Sequence, residues 1–207
     1  MKIIERISDG LESNSYLLVS GGESAAVAPA EDAGWFVSES LHCGAEVRYI
    51  ILTHGHYDHM LALGELRSLA GAPLLIGEGD SDCLADPHRS LFRMAWGRNK
   101  VFDPAERTLR DGDRIILGEE EIRVISTPGH PPGSCCFLFD RGIVTGDTLF
   151  DMSVGRCDFP GGNESDLRSS LVRLTQLDRD LTIYPGHGPT STLERQIMFN
   201  PFMNGEL

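Results

Sequence analysis

The sequence predicts an α/β fold of αββα sandwich type, and three features carry that expectation. Short runs rich in β-branched and aromatic residues recur in both halves of the chain, interleaved with stretches of helical periodicity. The run at residues 47–52 is nearly all apolar, the mark of a strand buried on both faces. Polar clusters of His, Gly and Asp follow directly on apolar strands, which is where an α/β scaffold presents functional groups.

In chain order, residues 2–7, 15–19 and 24–27 read as an opening meander of strands separated by Gly, Asp or Ser. Between residues 31 and 43, Trp35, Phe36, Val37 and Leu41 recur at near-helical spacing, and Gly44 stands where a helix would stop. The apolar run at 47–52 leads at once into Thr53-His54-Gly55-His56-Tyr57-Asp58-His59 and then a helical stretch to about Ala70. Further strands are expected at 74–76, 114–117, 122–126, 135–139 and 143–145, with turns at Asp111-Gly112-Asp113 and Arg141-Gly142. Asn163 is the expected N-cap of a helix over 164–177, followed by a short strand at 182–184 and a last helix near 192–199. One long stretch, 86–104, is irregular and is a candidate binding loop.

With 207 residues and 41% hydrophobic content, the chain can bury a sizeable core, and it is expected to form one domain over 1–207. Acidic residues outnumber basic ones by 31 to 18, a formal charge of -13 that repels a phosphate backbone, so nucleic acid is not the expected partner. No run approaches the roughly 20 apolar residues that span a bilayer, and the first ten residues lack an apolar signal core. No membrane association is therefore expected. The cysteines number five, and Cys135 and Cys136 are neighbours, which argues against a disulfide framework and for a reducing cytoplasm.

Five of the seven histidines sit in the polar clusters. In His54-x-His56-x-Asp58-His59, alternate residues leaving a strand can point the same way, so His54 and His56 can grip one ion while Asp58 and His59 turn toward another. His130 lies in Thr127-Pro128-Gly129-His130-Pro131-Pro132-Gly133-Ser134, Asp147 in Thr145-Gly146-Asp147-Thr148, and His187 in Tyr184-Pro185-Gly186-His187-Gly188-Pro189. Glycine and proline there set tight turns that aim the side chains. Imidazole and carboxylate donors without thiolate suit Zn, Fe or Mn.

These four ordered motifs closely resemble the metallo-β-lactamase superfamily, within it the branch of glyoxalase II enzymes and persulfide dioxygenases, and the resemblance covers nearly the whole chain. It implies a four-layer αββα sandwich with two mixed β-sheets inside and helices on the outer faces. It also implies His54, His56 and His130 on a first metal, Asp58, His59 and His187 on a second, and Asp147 bridging them. Two divalent ions, zinc first with iron or manganese as alternatives, would then lower the pKa of a bound water and polarise a carbonyl. The function so implied is hydrolysis of a thioester such as an S-acylglutathione by a metal-bound hydroxide, with Asp58 orienting the nucleophile. A persulfide dioxygenase resembles the chain in the same motifs but holds a single iron, here on His54, His130 and Asp147. A non-catalytic metal-binding scaffold would be marked by lost ligands, and every position is filled.

Related thioester hydrolases place a basic residue after the bridging Asp to meet a glutathione carboxylate, which makes Arg156 the candidate substrate anchor. The alternative is that Arg156 pairs with Asp158 and braces its loop. Two departures from the family pattern stand out. Ala28 occupies a place where many relatives carry Asp, and the chain stops at Leu207 before the helical domain that longer glyoxalases use for glutathione. Residues 87–100 gather basic and aromatic side chains in an acidic chain: a lid for an anionic substrate, an amphipathic helix at a subunit contact, or a solvated basic face with Leu91, Phe92 and Trp96 turned into the core. His42, His88, Cys135 and Cys136 are read as structural, and Cys157 as inert unless its thiol pKa is lowered. Met198, Phe199, Phe202 and Met203 are expected to dock the last helix or to bury a dimer contact, so the chain is expected to be a monomer or a homodimer acting on a small molecule.

Overall fold

The computed structural model describes residues 1–204. The first half of the chain lays down strands β1 (Lys2–Ile7), β2 (Asn14–Ser20) and β3 (Glu23–Val27), helix α1 (Ala33–His42), strand β4 (Glu46–Ile51), helix α2 (Leu63–Ala70), strand β5 (Leu74–Gly77), the short helix α3 (Phe92–Trp96) and strand β6 (Arg107–Leu109). The second half gives β7 (Arg114–Leu117), β8 (Glu120–Ser126), β9 (Cys135–Phe139), β10 (Gly142–Gly146), the two-residue strands β11 (Leu149–Phe150) and β12 (Ser153–Val154), helix α4 (Glu164–Leu174), β13 (Thr182–Pro185), β14 (Ser191–Thr192) and helix α5 (Leu193–Phe199).

Each half builds one mixed sheet. The first has the order β1-β2-β3-β4-β5-β6, antiparallel up to β3 and parallel from there on. The second has the order β14-β13-β10-β9-β8-β7, antiparallel except for the parallel pair β10 and β13. Strand periodicity of two divides the core into layers. On β2, Tyr16 and Leu18 face the second sheet while Leu17 and Val19 face α1 and α2, so one strand feeds two separate apolar clusters. On β9 the same alternation sends Cys135 and Phe137 between the sheets and Cys136 outward beneath α4 and α5. The layers run helix, sheet, sheet, helix, as the sequence predicts.

Several details differ from the sequence reading for identifiable reasons. The apolar run that starts β4 is buried on both faces only at Ile50, Ile51 and the following Leu52. Upstream, Arg48 reaches solvent near Glu23 and lies over the Tyr49 ring, so the exposed end of the strand looks apolar in sequence without being so in space. Helix α4 is capped by Asn163, whose Oδ1 accepts the Ser165 and Asp166 amides at 2.9 and 3.2 Å, but it ends at Leu174. The last helix docks through Leu193, Gln196 and Ile197, one face at spacing three and four. That choice turns Met198 and Phe199 outward, and with Phe202 they stay exposed; only Met203 of the expected cluster packs on the core. The irregular stretch at 86–104 contains α3, five residues long and too short to announce itself by periodicity.

The α4 layer is tied to the sheet by a polar link as well. Arg173 donates to the Ser126 carbonyl at 3.1 Å and pairs with Asp111 at 2.8 Å, and Asp111 accepts the Ser126 amide at 3.0 Å. Although partial burial works the other way, the Ser126 amide and the Arg173 guanidinium hold the Asp111 carboxyl below the usual carboxylate range. A carboxyl depressed in this way stabilises the fold above its unfolded pKa and stops doing so as pH falls through its folded value. Asp111→Asn should lower the urea midpoint near pH 7, with the gap to the parent protein closing as pH falls through and below the ordinary carboxylate range. Phe137, with no exposed surface, is the deeper test: Phe137→Ala should lower the unfolding free energy by about 3–5 kcal/mol in denaturant titrations.

Candidate functional site

Strands β8, β10 and β13 run in one direction within the second sheet, so the loops that follow them emerge at the same edge. These loops carry His130, Asp147 and His187. From the first sheet, the end of β4 delivers Thr53 to His59 to the same place, closing on a short 3-10 turn at Tyr57–His59. The two sheets are stitched there by the Cys135 amide, which donates to the Thr53 carbonyl at 2.8 Å.

All seven side chains singled out in the sequence converge at this edge. Donor atoms of His54, His56 and His130 lie within 4.8 Å of one another, as do those of Asp58, His59 and His187, and those of His54, His59 and Asp147. Asp147 faces both groups: its Oδ1 is 3.3 Å from His59 Nε2, and its Oδ2 is 3.4 Å from His130 Nε2 and 3.5 Å from His187 Nε2. His56 Nδ1 and His130 Nε2 are 3.0 Å apart, and Asp58 Oδ2 is 3.3 Å from His187 Nε2.

The electrostatics divide the cluster. Burial, reinforced by the neighbouring imidazoles, pushes His54 well below the usual histidine range and His56 down to about 3, so both are neutral. Burial acts the same way on His59 and His187, but Asp58 and Asp147 outweigh it, raising His59 and carrying His187 up to about 9. Burial would raise the two carboxyls, yet His59 and His187 keep both Asp58 and Asp147 ionised.

Buried polar atoms in folded proteins are nearly always hydrogen-bonded. Here His54 Nε2, His56 Nε2, both ring nitrogens of His59 and Asp147 Oδ1 are buried with no hydrogen-bond partner. Two other rings are fixed by carbonyls, which can only accept: His130 Nδ1–H donates to the Arg156 carbonyl at 2.7 Å and His187 Nδ1–H to the Glu12 carbonyl at 2.9 Å. Each ring then turns its Nε2 toward the carboxylates, the orientation that a carbonyl accepting from the far ring nitrogen imposes on metal-ligating histidines. Buried imidazole nitrogens without hydrogen-bond partners, gathered around two ionised carboxylates, fit a divalent cation.

Two supporting residues escape the sequence reading. Asp80 follows β5, has no exposed surface, and accepts the Gly55 amide at 2.9 Å on one oxygen and the Gly133 amide at 2.7 Å on the other. It thereby ties the His54–His59 loop to the His130 loop. Burial raises its pKa and the two amides oppose that rise. Gly77-Glu78-Gly79-Asp80 after an all-buried strand was a signal of the same kind as the histidine motifs, but a lone Asp in a turn does not announce a partner. Asn14 donates from Nδ2 to the Pro185 and Gly188 carbonyls at 3.0 and 2.7 Å, holding the His187 turn.

The cluster floors a cavity of about 370 Å³ whose walls are Tyr57, Leu91, Met94, Phe150, Val154 and Phe159. Arg156 also lines it, with its Nε and Nη2 each 2.6 Å from the two oxygens of Asp158 and its guanidinium over the Phe159 ring. His42 is exposed at the end of α1 and His88 is exposed on the 86–104 stretch, both away from the cluster. Cys157 is half-buried, and burial raises its thiol pKa; burial likewise pushes Cys135 up to about 12 and Cys136 to about 11. Ala28 is buried between the sheets with φ at 50°, and its carbonyl accepts the Ser15 hydroxyl at 2.7 Å.

A four-layer sandwich with a cluster of His and Asp side chains at the ends of strands from both sheets has the architecture of a metal-dependent hydrolase. The chain belongs to the metallo-beta-lactamase superfamily, which it matches over residues 9–187. It is 32% identical to a probable metallo-hydrolase of Streptococcus pyogenes serotype M6, covering 99% of this chain and 91% of that protein. It is also 32% identical to a hydroxyacylglutathione hydrolase of Anaeromyxobacter dehalogenans, covering 89% of this chain and 65% of the relative. Among solved structures, the B3 metallo-beta-lactamase BLEG-1 superposes with a TM-score of 0.91 at 27% identity, covering 99% of this chain and all of that one. The di-iron-bound form of TTHA1623 gives 0.83 at 31% identity, covering 96% and 99%.

Asp80→Asn would leave an amide group facing one of the two backbone N–H donors that the carboxylate now accepts. Chelator competition on the zinc-loaded variant should show retention weakened by about 10–100-fold, with far-UV circular dichroism unchanged.

Proposed function

We propose that His54, His56 and His130 hold one divalent ion, that Asp58, His59 and His187 hold a second, that Asp147 is shared between them, and that the chain hydrolyses a thioester of the S-acylglutathione kind. The observation that carries this reading is the second triad. The donor atoms of Asp58, His59 and His187 lie within 4.8 Å of one another, as those of His54, His56 and His130 do, and Asp147 faces both groups, which supports two ions rather than one. The hydroxyacylglutathione hydrolase among the relatives supports the thioester as substrate class. Zinc suits the nitrogen and oxygen donors, and the di-iron form of a structural relative makes iron the alternative.

Bound ions of this kind lower the pKa of water and polarise a carbonyl. The protein's own contribution is positional. Asp58 Oδ2 accepts from Ser13 Oγ at 3.4 Å and stands at the edge of the cavity, placed to hold the attacking water by hydrogen bonding and to take its proton. Hydrolysis joins the water oxygen to the acyl carbon, breaks the carbon–sulfur bond and returns a proton to the departing thiolate. Phe150, Val154 and Phe159 form an apolar wall that suits an acyl chain. Arg156, paired with Asp158, lines the same cavity and stands as the candidate contact for a carboxylate of the substrate. The chain works as one domain over 1–207 in the cytoplasm; among the described residues no helix is long and apolar enough to cross a membrane.

Elemental analysis of protein purified without added metal should give about two ions per chain, and the same sample should turn over S-lactoylglutathione. A single iron without turnover, together with oxygen uptake on glutathione persulfide, would replace this reading by the dioxygenase one. Asp58→Ala should lower kcat by at least about 10²–10⁴-fold, since it removes the group that orients the water together with a ligand of the second ion. His187→Ala should reduce the metal count toward one.

A further inference from the structure

The stretch from residue 91 to 101 is attached to the site at its base and free at its tip. The Tyr57 amide donates to the Ser90 carbonyl at 2.9 Å, so the stretch begins on the histidine loop itself. Leu91, buried and lining the cavity, is held at φ 61°, a left-handed conformation that a branched side chain adopts only under constraint. That turn starts α3 and carries Met94 to the cavity rim. At the far end, Lys100 lies over the Phe102 ring and donates to the Leu61 carbonyl at 3.4 Å.

Between these anchors residues 93–100 are all exposed, Met94 at 64% and Trp96 at 50%. Trp96 is stacked on Phe92, which meets Tyr57 edge-on, so an exposed indole is braced against the cavity wall. Arg93 and Arg98 flank it, and among the described residues neither has a carboxylate within ion-pair distance. In a chain with 31 acidic side chains, leaving two guanidinium groups unpaired beside exposed apolar surface is the pattern of a recognition surface. Within the cavity the one guanidinium, Arg156, is already engaged by both oxygens of Asp158.

We propose that this arm binds the anionic carrier half of the thioester: Arg93 and Arg98 take its carboxylate or phosphate groups, and Met94 and Trp96 cover its apolar body while the acyl group enters the cavity. The proposal rests on the hydrolase reading above. A tripeptide thiol with two carboxylates and a nucleotide thiol with phosphates share this chemistry, since a guanidinium pairs with either.

The test is binding rather than turnover, so it stands apart from the hydrolase assay. In metal-loaded Trp35→Phe protein Trp96 is the remaining indole, because the chain has two tryptophans. Its fluorescence is titrated with two inert thioethers, S-methylglutathione and S-methyl-coenzyme A. One of them should quench saturably, and the response identifies the carrier. R93A/R98A should weaken that binding by about tenfold or more, and added salt should weaken it in the parent but little in the variant. Saturable binding that the double variant leaves unchanged, or no response to either thioether, would overturn the proposal. So would a dimer in sedimentation velocity that R93A/R98A dissociates, since the surface would then be a contact between copies. If binding follows the prediction but no thioester is hydrolysed, the hydrolase reading falls and the carrier site remains.

Discussion

Everything at the active edge depends on backbone coming closer to side chain than any residue but glycine permits. A Cβ at Gly186 would lie on Asp147 Oδ1, one at Gly133 would run into the Asp80 backbone and carboxyl, and one at Gly155 would meet the Asp147 carbonyl. These contacts let seven charged or polar side chains share one small volume without intervening bulk. The glycines beside the histidines therefore act as spacers of zero thickness, and the turn-forming role read from the sequence is the lesser part of their work.

The concentration of imidazoles and carboxylates has an electrostatic cost that the fold leaves unrelieved. His54 and His56 are stripped of charge by burial, while His59 and His187 lean on two carboxylates that burial alone would neutralise. Such a set is poised for a cation: it supplies lone pairs on one side and negative charge on the other, with the hydrogen bonds of His130 and His187 fixing ring orientation from behind.

Much of this was legible in the sequence. The meander β1 to β3, strands β7 and β9 and the Asn163 cap follow from spacing and turn chemistry, and the grouping of His54, His56, Asp58, His59, His130, Asp147 and His187 from the resemblance of four motifs to a family pattern. What was hidden is what depends on distant partners. Asp80 matters because two amides from other loops reach it, and nothing within its own segment records them. Strand β6 is three residues long, with Arg107 and Thr108 exposed, and exists because β5 offers it an edge. Helix α5 chose a docking face that left Met198 and Phe199 outside, a matter of rotation that apolar content could not decide.

The order of the ligand loops along the chain also governs when the centre can exist. Four of its side chains are present once residue 59 has been made, but the cage draws on both sheets and is closed by His187, close to the last helix. A growing chain therefore carries the first histidines well before the loops that bear His130, Asp147 and His187 exist to complete the cluster. The cluster is thus an assembly of both halves of the fold, and it forms only where the two sheets have met.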